Sequence, residues 1–571
     1  MSAVLEAQEP TARNLDATQP ALVRQFELLA TAAGGASRLR ELILTLAVQG
    51  KLVPQDPNDE PAAALLRRIQ EEKDRLVAAG KLKRDKVDPT VAMKDAPYAL
   101  PDSWVWSRLG AVAKKITDGT HHSPANFANG DFKYLSAKNI KSWGIDLTDV
   151  TYVPYSVHQE IYSRCDPEYG DILYIKDGAT TGVLTVNTLT EQFSLLSSVG
   201  VVKPSCGVTS AYLALLMRSP FFYQAMRDGM TGVAITRVTL SKLGAALVPL
   251  PPLAEQARIV ARVDELMRLC DALEAKGRLE EEQHARLLGT LLGTLTDSST
   301  PEELAANWQR VADHFDLLLD RPEAVDALEQ TILQLAVRGL LVPQDRTDEP
   351  AGELLKRIRE HKTRLINAGE IRAGRLIDEI DESELPFGLP PGWAWARFGD
   401  ITINRDGERI PVSSSDRERR AKLYDYYGAS GVIDKIDGYL FDKTLLLIGE
   451  DGANLLNRST PIAFLAHGKY WVNNHAHVID TMDPGLMRYL ELFVNAISLE
   501  PYVTGTAQPK MNQAKLNSIV VALPPLPEQA RIFTRVTALR RLCADLRSRL
   551  ERSRAAQTAL ADALIDQALP A

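Results

Sequence analysis

Nothing in this chain approaches the roughly 20 consecutive apolar residues that span a bilayer, and its first residues lack the apolar core of a secretory signal. Cysteine is scarce: the 4 residues, Cys165, Cys206, Cys270 and Cys543, lie far apart and form no Cys-x-x-Cys pair. Neither a disulfide framework nor a cysteine zinc site is indicated, and a reducing cytoplasm is the expected compartment. Positive charge is in deficit, with 66 Lys and Arg against 74 Asp and Glu and a net charge of −8. That balance argues against nucleic-acid binding by the whole surface while leaving room for a local basic face. Missing too are the phosphate cradles GxGxxG and GxxxxGK(S/T), and the Asn/Asp-Pro-Pro-Tyr/Phe tetrapeptide that holds a flipped adenine. The nearest nuclease-like fragment, Glu71-Glu-Lys73, falls in a predicted helix with no Asp on an upstream strand. His121 and His122 are adjacent, and His475 and His477 share one face of a predicted strand, but neither pair has Cys or carboxylate partners at ligand spacing. No catalytic residue, metal site or cofactor site is assigned to this chain.

What the chain does contain is repetition. Its 571 residues, 45% hydrophobic and 25% charged, suit a globular protein of about three or four structural units. The run Pro249-Leu-Pro-Pro-Leu-Ala-Glu-Gln-Ala-Arg-Ile259 returns as Leu523-Pro-Pro-Leu-Pro-Glu-Gln-Ala-Arg-Ile532. Proline fixes φ and removes a donor, so each run ends a strand; Glu255 or Glu528 then falls in the first turn of a new helix, where the positive helix end favours it. A second repeat precedes the inserts. Ile43-Leu-Thr-Leu-Ala-Val-Gln-Gly50 is echoed by Ile332-Leu-Gln-Leu-Ala-Val-Arg-Gly339, Val53-Pro-Gln-Asp56 by Val342-Pro-Gln-Asp345, and Leu100-Pro-Asp-Ser-Trp-Val-Trp106 by Leu389-Pro-Pro-Gly-Trp-Ala-Trp395. The offset holds at 289 residues from Gly50 to Trp104 and falls to 273 between Glu255 and Glu528, so the second insert is shorter. Between these flanks the two inserts share little sequence. A constant frame around divergent inserts is expected if the inserts carry different specificities; neutral drift of a duplicated domain is the alternative.

Six segments follow: a leader at 1–25, a helical repeat at 26–100, an insert at 101–250, a central helical region at 251–388, a second insert at 389–524 and a C-terminal helix at 525–571. Both inserts read as compact α/β domains, with strands such as Phe132–Leu135, Asp171–Ile175 and Thr444–Ile448 and helices near Tyr212–Met217 and Leu486–Val494. The helices behind the proline runs keep a 3.5-residue period. Ile259, Val263, Leu266, Cys270 and Leu273 form one seam, and Ile532, Val536, Leu539, Cys543, Leu546 and Leu550 the other. Such a seam predicts a coiled coil, with a single amphipathic helix lying on a domain as the alternative; Cys270 and Cys543 fit it as small buried hydrophobes. The central region holds its helix and repeat in one piece, whereas the other copy is split between the chain ends. The predicted fold class is therefore mixed α+β, with two α/β domains on long antiparallel coiled-coil helices in a pseudo-two-fold circular arrangement.

These paired motifs and repeats resemble the specificity subunit of type I restriction-modification enzymes over nearly the whole chain after residue 26. Asp118-Gly-Thr-His-His-Ser-Pro124, Leu135-Ser-Ala-Lys-Asn-Ile140 and Gly170-Asp-Ile-Leu173 resemble one family of target recognition domains; Ile448-Gly-Glu-Asp-Gly-Ala453 and Thr504-Gly-Thr-Ala-Gln-Pro-Lys510 resemble another. The resemblance implies a non-catalytic reader of double-stranded DNA in a bacterial or archaeal cytoplasm, serving phage defence. Each insert would read one half of a bipartite site, and the helices would set the spacer and dock methylation subunits, with restriction/translocase subunits joining through them. S-adenosylmethionine, ATP and Mg would belong to those partners. A coiled-coil assembly scaffold with only non-specific DNA affinity is the competing reading.

Candidate DNA contacts are donors in loops at strand ends: Thr120, His121, His122, Lys138, Asn139 and Lys176 in the first insert, and Arg405, Arg409, Asn454, Arg458 and Asn512 in the second. Arg237 aligns with Lys510 at the 273-residue offset, each following a Thr-Gly loop, which favours a shared phosphate contact. Solvated surface charge is the plain alternative for each. Trp104, Trp106, Trp393 and Trp395 recur in both copies and are read as core rather than base-stacking residues.

Overall fold

A computed structural model describes residues 34–82, 91–228, 237–298, 300–372, 378–505 and 508–568. The leader assigned to 1–25 lies outside them. The proline runs act as read: strands Leu247–Leu250 and Val520–Leu523 stop at buried Pro251-Pro252 and Pro524-Pro525. Helices of 44 residues (Leu253–Thr296) and 43 residues (Leu526–Ala568) begin at once, each about 65 Å long at 1.5 Å per residue. Each closing strand pairs antiparallel with the strand that opened its insert, Val105–Arg108 with Leu247–Leu250 and Ala394–Arg397 with Val520–Leu523. An insert is thus zipped shut at its base.

Inside, divergent sequences build one topology. The first insert orders its strands Ala113–Asp118, Val199–Pro204, Ile172–Ile175, Leu184–Val186, all antiparallel. The second orders Ile403–Asn404, Ala476–Asp480, Leu445–Gly449, Ala463–Ala466 in the same way. The strands Ile172–Ile175 and Leu445–Gly449 are buried throughout, which explains their continuous apolar runs. A smaller sheet accompanies each, three-stranded in the first insert and four-stranded in the second, and each contains one parallel pair. Helices Ser210–Arg218 and Pro484–Ala496 are tied to the closing strands by Tyr212, whose hydroxyl donates to Pro249 O at 2.9 Å, and by Tyr489, which donates to Ala522 O.

The repeats are explained by a latch made twice. Helices Gly35–Val48 and Pro322–Val337 end in Gly50 and Gly339, at φ 71° and 73°. A Cβ on either would stand 2.5 Å from the ring of Pro101 or Pro390 and about as close to Trp104 or Trp393 as 3.2 and 3.0 Å. Trp104 and Trp393 are buried, as read, and their indole N–H groups donate to Glu255 at 2.9 Å and Glu528 at 3.0 Å. Gln55 and Gln344 donate to the same carboxylates at 2.6 and 3.3 Å, while Arg258 and Arg531 each pair with Asp59 and Asp348 at 2.6 Å. The glutamines of the Glu-Gln-Ala-Arg motif bind the proline run itself: Gln256 and Gln529 donate to Pro251 O and Pro524 O.

Compactness regroups the six segments into two units, 1–279 with 554–571, and 280–553. The central region and the C-terminal helix are therefore each divided, since a long helix starts in one unit and ends in the other. Within the first unit the chain ends meet: Arg38 pairs with Asp562, and Ala561 is buried in a core with Leu39, Leu42 and Ile43. Within each unit, the heptad seam also faces that unit's repeat helix. Ile259, Val263, Leu266 and Cys270 are buried in the core that contains Leu39 and Leu42, Leu273 is half-buried, and Arg40 reaches Asp271 and Glu274 at 2.6 and 2.8 Å. In the second unit Ile532, Val536 and Cys543 are buried and Leu539, Leu546 and Leu550 half-buried, and Arg540 and Arg547 reach Glu329 at 3.0 and 3.2 Å. Burial pushes the Cys270 and Cys543 thiols up, as suits inert core residues. Among the described residues no helix is long and apolar enough to cross a membrane.

The latch predicts that Gly50→Ala and Gly339→Ala destabilise by more than the ~1–2 kcal/mol of a left-handed residue alone. Gly80→Ala, at φ 69° with nothing within 4 Å of its Cβ, supplies the reference. Equal losses of thermal stability in all three variants would rule out the packing role.

Candidate nucleic-acid interface

The register gathers three strand ends at one edge of the first sheet: Gly200 opposes Asp118 and Val199 opposes Ile175. The carboxylate of Asp118 is buried there at 2% exposure and collects cations. Arg164 binds it at 2.6 Å, Lys176 at 3.3 Å and His121 at 3.3 Å. Next to it, Asp177 accepts two hydrogen bonds from Arg237, at 2.9 and 3.2 Å, and lies 3.4 Å from Lys176. Two carboxylates thus anchor three permanent cations, leaving a local positive surplus on a chain of negative net charge. The Arg237 guanidinium stays half-exposed, and its hydrogen bonds to Asp177 raise its pKa above the ordinary arginine value.

The same edge of the second sheet is built from different residues. His477 is buried, with Nδ1 2.6 Å from Asp406 and Nε2 2.8 Å from Met511 O. With a carboxylate on one side and a carbonyl on the other, the site suits a ring that donates from both nitrogens. Burial pushes its pKa down, but the hydrogen bond and charge of Asp406 outweigh that and leave it raised; Asp406 is held below its usual range by the same pair, against the opposing effect of burial. Glu450 accepts from Arg409 at 2.8 Å and lies 3.2 Å from the half-exposed Lys510. His475 reaches Asp451 at 2.7 Å, and Arg405 binds Asp480 at 2.8 Å and Glu408 at 2.9 Å. Isolated β-bridges join Asp177 to Arg237 and Asp451 to Lys510, so the alignment of Arg237 with Lys510 is also a structural equivalence.

The structure sorts the remaining candidates. His121 and His122 are exposed on a turn held by Thr120, whose hydroxyl donates to His122 O at 3.0 Å. Lys138 is exposed in an ion pair with Asp149 at 2.7 Å. Five others, read from sequence as DNA donors, are engaged in local bonds within the domain. Asn139 is 2% exposed and donates to Asp146 O and Asp149 O at 3.0 and 2.9 Å. Asn454 donates to Thr460 O at 3.1 Å and accepts from Ser459 and Thr460, and Asn512 caps the helix Gln513–Asn517. Arg458, at φ 52°, donates to Val494 O and Ile497 O at the end of helix Pro484–Ala496, at 3.3 and 2.7 Å. Lys176 is 3% exposed within its ion pairs. Loop asparagines favour such local bonds to backbone over outside partners. Sequence reasoning missed the carboxylates that organise each edge, Asp118, Asp177, Asp406 and Glu450, together with Arg164. Their signal was an acid beside glycine after an apolar strand, as in Asp118-Gly119, Lys176-Asp177-Gly178 and Glu450-Asp451-Gly452. Among the described residues no group of three or more His, Cys, Asp or Glu could hold a metal ion.

Comparison with known proteins agrees with this two-domain arrangement. The family described as type I restriction modification DNA specificity domain matches residues 101–282 and 390–552. The type I restriction enzyme EcoEI specificity subunit of Escherichia coli is 34% identical over 570 residues, covering 94% of each chain. The EcoAI specificity subunit of the same species is 33% identical, again over 94% of each. A chain of a solved type I restriction-modification system covers 83% of this chain and 99% of its own length, at 18% identity and a TM-score of 0.47. With relatives above 30% identity over 94% of the chain and a family match spanning each insert and the start of the long helix behind it, this chain belongs to the specificity subunits of type I restriction-modification enzymes, whose role is DNA target recognition and not catalysis.

Proposed function

We propose that the two charged sheet edges each read one half of a bipartite, asymmetric site in double-stranded DNA, and that the long helices set the spacer between halves and dock the methylation subunits. One observation carries this reading: two sheets of identical strand order keep one exposed cation in common, Arg237 or Lys510, while the residues around it differ. A shared cation suits the phosphate backbone, which carries no sequence information, and divergent neighbours suit base readout. The scaffold reading gives no reason for that divergence. In this reading the chain itself uses no cofactor; S-adenosylmethionine, ATP and Mg serve the methylation and restriction/translocase subunits, in a bacterial or archaeal cytoplasm.

Replacing residues 107–248 with the insert of another specificity subunit is expected to change one half of the methylated sequence and leave the other intact, as methylome sequencing of cells carrying the complex would reveal. An unchanged sequence in both halves would refute the reading. Arg237→Ala and Lys510→Ala are expected to weaken binding of the assembled complex uniformly across sequences, each reducing the salt slope by about 1; altered base preference would assign these residues to readout instead. The second domain also carries a pH signature. The folded pKa of His477 is raised, so its stabilisation is full below the unfolded value of about 6.5 and is lost as pH rises through the folded value. Thermal unfolding should show that loss in the wild type, and His477→Gln should flatten it.

A further inference from the structure

The first domain carries a hairpin, Ile140–Lys141 against Gly144–Ile145, whose two-residue turn presents Trp143 with 72% of its surface exposed. Tryptophan is rarely left so open, because its apolar area is large and its burial strongly favourable. This hairpin is not loose. Asn139 closes its base through Asp146 O and Asp149 O, and Ile140 is buried. At the tip, Arg218 donates to Ser142 O at 3.0 Å and to Leu184 O at 3.3 Å. Leu184 opposes Tyr174, two residues before Lys176, so the Arg218 bridge ties the tip to the sheet that carries the charged edge. Arg227, whose guanidinium lies 5.2 Å from the Tyr223 ring, adds another cation and aromatic on the way, since a Cβ at Gly182 in the strand turn would touch that ring at 2.7 Å. A rigid, exposed aromatic on a hairpin braced by an arginine, in the domain that carries a proposed phosphate contact, is the chemistry of a base-stacking platform. Among the described residues the second domain has no counterpart to this hairpin.

We propose that Trp143 is a specificity-determining residue of the first recognition domain, stacking as an apolar wedge against a base step of its half-site. This rests on the DNA-reading function proposed above. It accounts for Trp143 being braced at base and tip yet uncovered: the hairpin supplies rigidity, and the DNA supplies the missing apolar contact.

The test uses the assembled complex of this chain with its methylation subunits, and duplexes carrying the methylated sequence with 2-aminopurine placed in turn along the first half-site. The wild type should brighten one or two of these positions on binding. Trp143→Ala should abolish the signal and weaken target binding by roughly tenfold or more, the range expected for loss of one aromatic–base stack, with assembly and affinity for unrelated duplex unchanged. Trp143→Phe should restore most of both. Target binding and fluorescence equal to wild type in Trp143→Ala would overturn the wedge while leaving DNA reading intact. Loss of methylation-subunit assembly instead would assign Trp143 to a protein contact and overturn it equally. If the wild-type complex shows no preference for the methylated sequence, both proposals fall.

Discussion

A carboxylate buried in the first turn of a long helix is unfavourable unless its lone pairs are used. In Glu255 and Glu528 they are used by groups from other segments: an indole N–H from the strand that opens the insert and an amide from the preceding repeat. Burial pushes both carboxyls up, and the hydrogen bonds from Trp104 or Trp393 and from Gln55 or Gln344 pull back against it. The positive helix end adds a favourable field at the same point. Each carboxylate therefore joins three pieces of chain that sequence holds far apart. Because the indole bond is buried, losing it would leave the indole N–H unsatisfied and cost ~1–3 kcal/mol. The repeat helix, the base of the insert and the start of the long helix in each unit are consequently held as one body.

That constraint explains how the inserts can differ so much. Everything that must be kept for folding lies at the base: the paired strands, the prolines, the tryptophan and the glycine that lets it approach. The far edge of each sheet can be rebuilt without disturbing the latch. It also reconciles a net charge of −8 with a DNA partner. Acidic residues are used internally to position cations, as Asp118 positions Arg164 and Asp177 positions Arg237, and the field that a ligand meets is local.

Much of the fold was legible because it is periodic or duplicated. The seam positions, the strand runs and the proline stops depend on nearest neighbours along the chain, and the Gly50 and Gly339 repeats announced a shared contact even before that contact was known. The interface was less legible because the fate of a polar side chain depends on partners from distant segments. Lys138 and Asn139 are adjacent in sequence, yet one is exposed and the other is sealed beneath two carbonyls. His475 and His477 look alike in the strand pattern, but His477 is buried by Asp406 and Met511, which come from opposite ends of the insert. The grouping of segments into compact units is illegible for a similar reason: a helix of 44 residues can be read along its length, but not which part packs with which unit.

The residue directly after the central strand shows what the two domains share and where they differ. Lys176-Asp177-Gly178-Ala179 and Glu450-Asp451-Gly452-Ala453 occupy the same turn, with Gly178 and Gly452 at φ 94° and 103°. The first position differs in charge between the two, and its ion-pair partner differs with it, the acid Asp118 in one and the base Arg409 in the other. An ion pair removed from water must stay paired but is indifferent to polarity. The exposed group at the edge has the same sign in both: Arg237 and Lys510 are both cations, although one leans on Asp177 and the other on Glu450. Each has a carboxylate to pair with, and each keeps about half of its side chain exposed. A cation paired on one side and open on the other offers the same positive charge to an anionic ligand in both domains, whatever charge the turn behind it carries.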